Sequence, residues 1–266
     1  LTVNSSGGAI TIDSVAGTTA GDNFETLTIN AGGVDSGTET VSIGDIGDSG
    51  HTQIHTVDIT ADDGITLTGA IYTADDGSNA SVHFRDKVII GGAVTIDTDD
   101  DQSNDGDITF TTSIEGAGGG GTESLTIEGG TGTITLTAIG ATTGIDNLSI
   151  NNQATGTANV TIKNIGSGTI DTATVTGAAV VNIGNTASGT LDFDGTIYKT
   201  SGSFTVTAKA NATTDKEIKF SGSSPFISTS GDAVTLQGGE VLIEDGTLTI
   251  DTNAADGAGS GGNITI

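Results

Sequence analysis

Short stretches of the chain alternate apolar side chains with hydroxyl or carboxylate side chains at every second position. In "AITID" (9–13) and "TITLT" (133–137), Ile or Leu alternates with Thr or Asp. A period of two places successive side chains on opposite faces of a β-strand. The same pattern recurs in the strings "TLTIN", "TVSIG", "GITLTG", "DITFT", "SLTIE", "NVTIK", "SFTVT" and "TLTID". Since no segment sustains a helical period, the pattern predicts an all-β fold of short strands.

Two long sections of the chain resemble each other. The segment 1–30 matches 125–151, and shorter matches follow in the same order. Both sections also contain the string Thr-Ile-Asp-Thr, a polar loop and a closing strand, "DITF" in the first and "NITI" in the second. Such long-range duplication indicates a linear array of coils. We predict one continuous solenoid of two super-repeats, residues 1–124 and 125–266.

The two super-repeats differ in length at one place. Tyr72 and Tyr198 occupy equivalent positions in the strings "GAIYT" and "GTIYK". From Tyr72 to Thr95 the chain advances 23 residues, whereas from Tyr198 to Thr249 it advances 51, a surplus of 28. Because a solenoid accepts an insertion best as a whole coil, we predict about one extra coil within residues 199–248.

Composition favours a right-handed parallel β-helix. Gly supplies 43 of the 266 residues, aromatic residues make up 3%, and Pro225 is the single proline. Gly suits tight corners that need a positive φ, and a thin interior suits stacked aliphatic side chains better than Trp. With coils of roughly 20 residues we predict about 13 coils. A β-sandwich has a similar strand pattern, so the alternation alone fits both architectures.

The strings "TIDTNAADGAGSGGNITI", "SLTIEGGTGTITLTAIG" and "GAIYT" resemble the strand repeats of long bacterial surface proteins, the filamentous-haemagglutinin-like adhesins and related β-helical exoproteins. The resemblance covers nearly the whole chain. It implies a right-handed parallel β-helix, secretion to the bacterial cell surface, and a role in adhesion or in an extracellular matrix. The implied partners are a host or neighbouring-cell surface, glycans or matrix. The alternative is a self-assembling filament or sheath subunit with end-to-end self-association.

Charge narrows the range of partners and activities. The chain has 34 acidic and 7 basic residues, a formal net charge of −27 and no Cys. Such a surface repels nucleic acid and anionic membranes, and no apolar run is long enough for membrane insertion. Polysaccharide-acting β-helix enzymes combine clustered carboxylates with basic residues, but Arg85 is the only arginine here. We therefore predict a non-catalytic protein with no cofactor, and treat such an enzyme as the less favoured alternative.

The acidic loop after the first Thr-Ile-Asp-Thr string is the strongest candidate for metal binding. Carboxylate oxygens are the ligands that calcium prefers. The candidate ligands are Asp97, Asp99, Asp101, Asp105 and Asp107. Their first spacings begin like an EF-hand loop, but Ser103 and Asn104 follow where the sharp-turn Gly is expected. The second super-repeat keeps only Asp251 and Asp256 in this loop, so a solvated acidic loop is favoured over a calcium site and no metal ligand is assigned.

The histidines give no metal site of their own. His51 and His55 would lie ~13 Å apart in an extended segment, too far to share one ion. His83 alternates with Val82 and Phe84 and is predicted to point outward.

Both ends of the sequence, "LTVN" and "NITI", have the pattern of interior strands. An open terminal coil exposes unpaired backbone groups, and natural solenoids cap such coils with atypical polar repeats. The expectation is that each terminal coil is covered by more of the same chain or by a subunit stacked end to end.

Overall fold

A computed structural model describes residues 1–17, 25–32, 38–48, 54–73, 81–98, 106–118, 122–151, 159–170, 177–185, 189–208, 217–253 and 261–266. These residues form 26 β-strands joined in one sheet, and all the pairings between the strands are parallel. An isolated antiparallel bridge joins Ser230 and Asn253. In the same ranges there is no helix of the length and apolar character that a membrane crossing requires.

The sheet winds into a parallel β-solenoid with three faces. Face 1 contains β1 (Thr2–Ser5), β3 (Thr26–Ala31), β5 (Thr56–Ala61), β8 (Ser81–Phe84), β11 (Asp107–Phe110), β14 (Ile134–Ile139), β16 (Val160–Ile165), β18 (Leu191–Phe193), β21 (Glu217–Phe220) and β24 (Glu240–Ile243). Face 2 contains β2 (Ile10–Val15), β4 (Thr40–Ile46), β6 (Gly64–Leu67), β9 (Val88–Ile90), β12 (Ile114–Gly116), β19 (Ile197–Thr200), β22 (Phe226–Thr229) and β25 (Thr249–Asp251). Face 3 contains β7 (Ile71–Tyr72), β10 (Ala93–Asp97), β13 (Ser124–Glu128), β15 (Ile145–Ile150), β17 (Ala178–Asn185), β20 (Phe204–Ala208), β23 (Val234–Gln237) and β26 (Ile264–Thr265). The C-terminal ends of β4, β14 and β16 turn a corner and pair on the next face.

The β-helix class is confirmed, but the predicted number of coils is wrong. The described residues give about 8 turns that carry a separate strand on every face, instead of about 13. Paired residues of neighbouring coils are 23 residues apart at Ile65 and Val88, and 33 apart at Ile150 and Ile183. Three strands and three corners need more chain than the coil of roughly 20 residues that the prediction assumed. The right-handed sense stays a prediction.

The core consists of aliphatic ladders that run from coil to coil. In β5 the side chains of Val57, Ile59 and Ala61 are buried, whereas the intervening positions are half-buried on the outer side. The parallel register places Val57 between Leu27 and Val82, which are also buried. Because each buried Val, Leu or Ile contributes roughly 1.5–3 kcal/mol, a coil is stabilised mainly by its neighbours above and below.

Aromatic side chains stack along the same ladders. The rings of Phe84 and Phe110, which are paired in β8 and β11, have centroids 4.7 Å apart. Phe193 and Phe220 are paired in β18 and β21, with centroids 4.9 Å apart and planes 18° apart. Tyr198 meets Phe193 edge-on at 5.1 Å. Two aromatic pairs therefore lie in register, and each aromatic contact adds about 0.5–1.5 kcal/mol to simple burial.

The two Thr-Ile-Asp-Thr strings have a shared role at the base of a corner loop. Thr98 is buried and its hydroxyl donates to the carbonyl of Gly106 at 2.9 Å. Thr252 donates in the same way to the carbonyl of Gly262 at 3.0 Å. In both places the last Thr of the string turns inward and joins the two ends of the polar loop.

Equivalent strands of the two matching sections lie on different faces. β1 is on face 1, but its equivalent β13 is on face 3; β2 is on face 2, but its equivalent β14 begins on face 1. The step from one section to the next therefore does not correspond to a whole number of turns. In the same way, β5 and β8 on face 1 correspond to β17 and β20 on face 3.

The packing of the two tyrosines differs although their sequence contexts match. Ile71, the residue before Tyr72, pairs with Ile46, whereas Tyr198 itself pairs with Ile165, the residue equivalent to Ile46. This shift by one position leaves Tyr72 half-buried and Tyr198 fully buried.

The pairing steps after the two tyrosines also differ. Tyr72 pairs directly with Asp97 in the next coil. Tyr198 pairs with Ile227, which pairs in turn with Ile250 of the second Thr-Ile-Asp-Thr string, so that string lies two coils on and not one. The division of the chain at residues 124 and 125 stays a prediction.

Candidate functional site

The outer surface of face 1 carries a cluster formed by Asp58, His83 and Arg85. Asp58 and His83 are in register on β5 and β8. Arg85 donates from Nε to Asp58 Oδ1 at 2.8 Å and from Nη2 to Asp58 Oδ2 at 2.7 Å. Because the Arg85 side chain is 48% exposed and that of Asp58 29%, this ion pair contributes about 1 kcal/mol or less. His83 lies on the outer face between buried Val82 and Phe84, as the alternation predicts.

All three members of the cluster have shifted pKa values, and the hydrogen bond to Asp58 raises the pKa of Arg85. The hydrogen bonds from Arg85 lower the pKa of Asp58. Burial, followed by the positive charge of Arg85, lowers the pKa of His83, against a smaller raising effect of Asp58. Among the described residues, His83 Nε2 is buried without a hydrogen-bond partner. The folded protein therefore favours a neutral His83 and an ionised Asp58.

We expect this cluster to reduce the stability of the protein in two steps as the pH falls. The unfolded chain protonates His83 before the folded chain does, so the free energy of unfolding decreases below about pH 6.5. Asp58 has a lowered pKa in the folded state, and its stabilising contribution is lost only below about pH 4. Urea unfolding across this pH range measures both steps, and His83→Gln should reduce the first while leaving the second.

A second variant tests the assignment of these effects. In Asp58→Asn the attraction that raises the pKa of His83 is removed while Arg85 remains, so the pKa of His83 should fall further. Nuclear magnetic resonance titration of the imidazole reports this value directly, with His83→Gln identifying the signal. A higher pKa of His83 in Asp58→Asn would show that the three side chains do not interact as described.

A second charged group lies further along face 1. Lys219 contacts Asp192 at 3.5 Å and Glu244 at 3.1 Å, so one ammonium joins carboxylates of the coils on either side. The Ser221 hydroxyl donates to Asp192 at 2.6 Å, and Asp194 lies 3.4 Å from the same hydroxyl. Hydrogen bonding to Glu244 raises the pKa of Lys219. The arrangement neutralises part of the acidic surface and links three coils.

Face 2 contains a buried lysine. Lys199 has 0% exposure, and its ammonium donates to the carbonyl of Thr169 at 3.2 Å. The Ser228 hydroxyl donates to the neighbouring carbonyl of Ile170 at 3.3 Å. Burial lowers the pKa of Lys199. Residues 169 and 170 therefore cover the outside of face 2, and Lys199 and Ser228 hold them there.

Many carboxylate and amide side chains at the corners accept backbone N–H groups from an adjacent coil. These contacts are 2.7–3.1 Å long and occur where strand pairing is interrupted. The acceptors are Asp45 for Ala70, Asp63 for Glu39, Asp86 for Ala61, Asp107 for Thr133, Asp146 for Glu123, Glu115 for Thr142 and Thr143, and Asn164 for Thr196 and Ile197. A backbone N–H without a partner destabilises a buried corner, so these side chains satisfy the backbone between coils.

The structure places only part of the predicted acidic loop. Asp97 lies in register with Tyr72 and Glu128 on face 3. Asp107 lies across the loop on face 1, where its carboxylate accepts the Thr133 N–H at 2.7 Å. Asp99, Asp101 and Asp105 lie outside the described residues, and calcium binding stays a prediction.

Other candidate ligands can be placed as follows. Asp251 accepts the N–H of Asn253 at 2.9 Å, and His55 Nδ1 lies 2.8 Å from the hydroxyl of Thr56. His51 and Asp256 fall outside the described ranges. Within those ranges, His, Asp and Glu side chains do not gather in groups of three that could hold a metal ion.

A shallow groove crosses three coils beside face 3. It has a volume of about 190 Å³ and is lined by Gly144, Ile145, Asp146, Gly177, Ala178, Ala179 and Ser201. Sites for small molecules usually have about 300–1,000 Å³ and enclose their ligand. This groove is smaller and more open than such a site, because most of its lining residues are Gly, Ala or Ser. The exposed side chain of Val180 lies next to it.

Alternation in the sequence does not reveal Lys199 or the cluster of Asp58, His83 and Arg85. The residues from Tyr198 to Thr200 are all buried, so the period of two fails where the lysine lies. Asp58 and Arg85 are 27 residues apart, and only the register between coils brings them together.

Comparison with protein-family models, with curated proteins and with solved structures gave no match.

Proposed function

We propose that this chain is a non-catalytic structural and adhesive segment of a large repetitive bacterial surface protein. In this role the solenoid acts outside the cell as a stiff support, and its outer faces contact glycans or matrix on a host or neighbouring cell. This is also the function that the resemblance to filamentous-haemagglutinin-like adhesins implies.

The observation that carries the proposal is the continuous parallel ladder with polar outer faces. Each coil contacts its neighbours through aliphatic side chains, and the outward positions carry Thr, Ser, Asn and charged residues. Such a molecule presents a long, regular surface, which suits multiple weak contacts better than an enclosed binding site. The formal charge of −27 favours neutral or cationic surfaces as partners.

The roles of five described carboxylates support a function without catalysis. Acid–base catalysis needs carboxylates that are free to reach a substrate. Asp45, Asp107 and Glu115 instead accept backbone N–H groups from a neighbouring coil. The outward Asp58 and Asp192 are paired with Arg85 and Lys219.

An adhesion assay tests this proposal. Beads that carry the native chain are applied to a glycan array and to wells coated with extracellular-matrix proteins. Beads that carry the same chain after irreversible thermal unfolding have the same charge and composition and serve as the control. We expect the native beads to adhere to at least one glycan or matrix class and the unfolded beads to lose that adhesion.

Two results would overturn the proposal. Equal adhesion of native and unfolded beads would show that charge and composition suffice without the fold. Absence of adhesion, together with concentration-dependent growth of particles in analytical ultracentrifugation, would instead support a self-assembling filament or sheath subunit.

A further inference from the structure

Five neighbouring strands of face 3 present an uncharged outer surface in a strongly acidic protein. The outward positions of β13, β15, β17, β20 and β23 carry hydroxyl, amide or apolar side chains. They are Ser124, Thr126, Asn147, Ser149, Val180, Asn182, Thr205, Thr207, Thr235 and Gln237. Two carboxylates belong to the same strands: Asp146 lines the groove beside the strands, where its carboxylate accepts a backbone N–H, and Glu128 is buried. With 34 acidic residues in the chain, a face of five coils without a central charge is a distinct surface.

The middle positions of these strands form a ladder in exact register. The face 3 ladder consists of Thr126, Ser149, Asn182, Thr205 and Thr235, each paired with the next. Neighbouring rungs are separated by the strand spacing of ~4.8 Å. All five side chains are half-buried, and hydroxyl and amide groups can both donate and accept hydrogen bonds. The ladder is therefore a row of uncharged hydrogen-bonding groups along the axis.

A groove runs beside the face 3 ladder. It passes Asp146, Ala179 and Ser201 in three successive coils. Val180, which separates the groove from the ladder at Asn182, is 37% exposed. The groove, the apolar ridge and the ladder together form a shallow surface that fits an extended chain and does not enclose a compact ligand.

The equivalent strands of the first matching section are charged. On face 1, β5 carries Asp58, β8 carries His83, and Arg85 directly follows β8. In the match between the two sections these positions correspond to Asn182, Thr205 and Thr207 on face 3. The same backbone arrangement therefore supports charged side chains. Uncharged residues on face 3 are a property of that face and not a requirement of the fold.

We propose that the groove and the face 3 ladder bind a neutral polysaccharide chain that lies along the solenoid axis. The inference rests on the proposed adhesive function and names the partner and the face. Sugar hydroxyls match the hydroxyl and amide groups of the ladder, and one sugar unit with its glycosidic oxygen has a length close to the rung spacing. Anionic chains are repelled by the net charge of −27, and a cationic partner would favour the carboxylates of face 1.

A pair of matched variants tests the proposal. Asn182→Asp places a carboxylate in the middle of the ladder with almost no change of shape. Thr135→Asp places the same charge on the outer side of β14 on face 1 and serves as the control. Calorimetric titration uses linear neutral oligosaccharides of glucose, mannose or galactose, and uronic acid oligosaccharides of equal length. Circular dichroism and thermal unfolding confirm that both variants are folded.

We expect the native chain to bind at least one neutral series and to bind the uronic acid series at least tenfold more weakly. Asn182→Asp should weaken binding of the neutral series at least tenfold, whereas Thr135→Asp should change it less than twofold. Native-like binding by Asn182→Asp, or an equal loss in both variants, would overturn the assignment to face 3.

If the beads adhere to glycans or matrix but the chain binds none of these neutral series, the polysaccharide proposal fails and the adhesive function stands. If face 3 instead mediates self-association that Asn182→Asp abolishes, a second copy is the occupant and the polysaccharide proposal is wrong.

Discussion

Replacement of Ile134 by Asp should prevent stable folding of the coils around it. Ile134 has 0% exposure and is paired with Ile108 and Val160, both of which are buried. The substitution removes aliphatic contacts in the core and places a carboxylate among apolar neighbours without a partner. The combined loss should be roughly 4 kcal/mol or more, a large share of the stability of an ordinary domain. Thermal and urea unfolding measure the effect.

The adjacent residue supplies the control for this experiment. Thr135 lies on the outer side of the same strand, paired with Thr109 and Thr161. Thr135→Asp adds the same charge one position away and should change the free energy of unfolding by about 0.5 kcal/mol or less. Similar effects of the two substitutions would show that Ile134 does not face the core.

Replacement of Gly195 by Ala should also destabilise the protein strongly, for a different reason. A Cβ atom at Gly195 would overlap the carbonyl oxygen of Lys163 in the preceding coil. The clashing group is backbone, which cannot move away without separating the two coils. Gly195 also donates its N–H to the buried hydroxyl of Tyr198 at 2.7 Å. We expect a loss of about 3 kcal/mol in urea unfolding.

Gly92→Ala provides the matched comparison. A Cβ atom at Gly92 would lie 3.9 Å from the carbonyl oxygen of Thr68, an ordinary contact distance. This substitution should change the free energy of unfolding by about 1 kcal/mol or less. Equal destabilisation by the two alanines would contradict the close approach of the coils at Gly195.

The alternation of apolar and polar residues predicted an all-β fold, and the long-range duplication with the Gly-rich composition favoured the β-helix over a β-sandwich. Ile134 and Leu136 are buried while Thr135 is half-buried, as a period of two requires. The number of coils could not be predicted in the same way. Corner lengths vary, so paired residues are 23 apart at one place and 33 at another, and no local pattern gives the length of a corner.

Side-chain clusters that join different coils could not be predicted from the sequence either, because variable corner lengths hide which residues pair between coils. The ion pair of Asp58 and Arg85 and the ladder through Ser149, Asn182 and Thr205 both depend on register. A shift by one position moves a side chain from the outer surface to the core. Tyr72 and Tyr198 illustrate this, since matching strings place one half-buried and the other inside.

Equivalent strands of the two matching sections lie on different faces of the solenoid, which limits how the duplication can contribute to avidity. The outward side chains of β5 and β8 lie on face 1, whereas those of their equivalents β17 and β20 lie on face 3. A flat surface that touches one set cannot touch the other at the same time, and simultaneous engagement is what converts repeated weak contacts into strong attachment. Duplication in this chain therefore gives two surfaces that can diverge in specificity, and it does not place two copies of one binding surface on the same side of the solenoid.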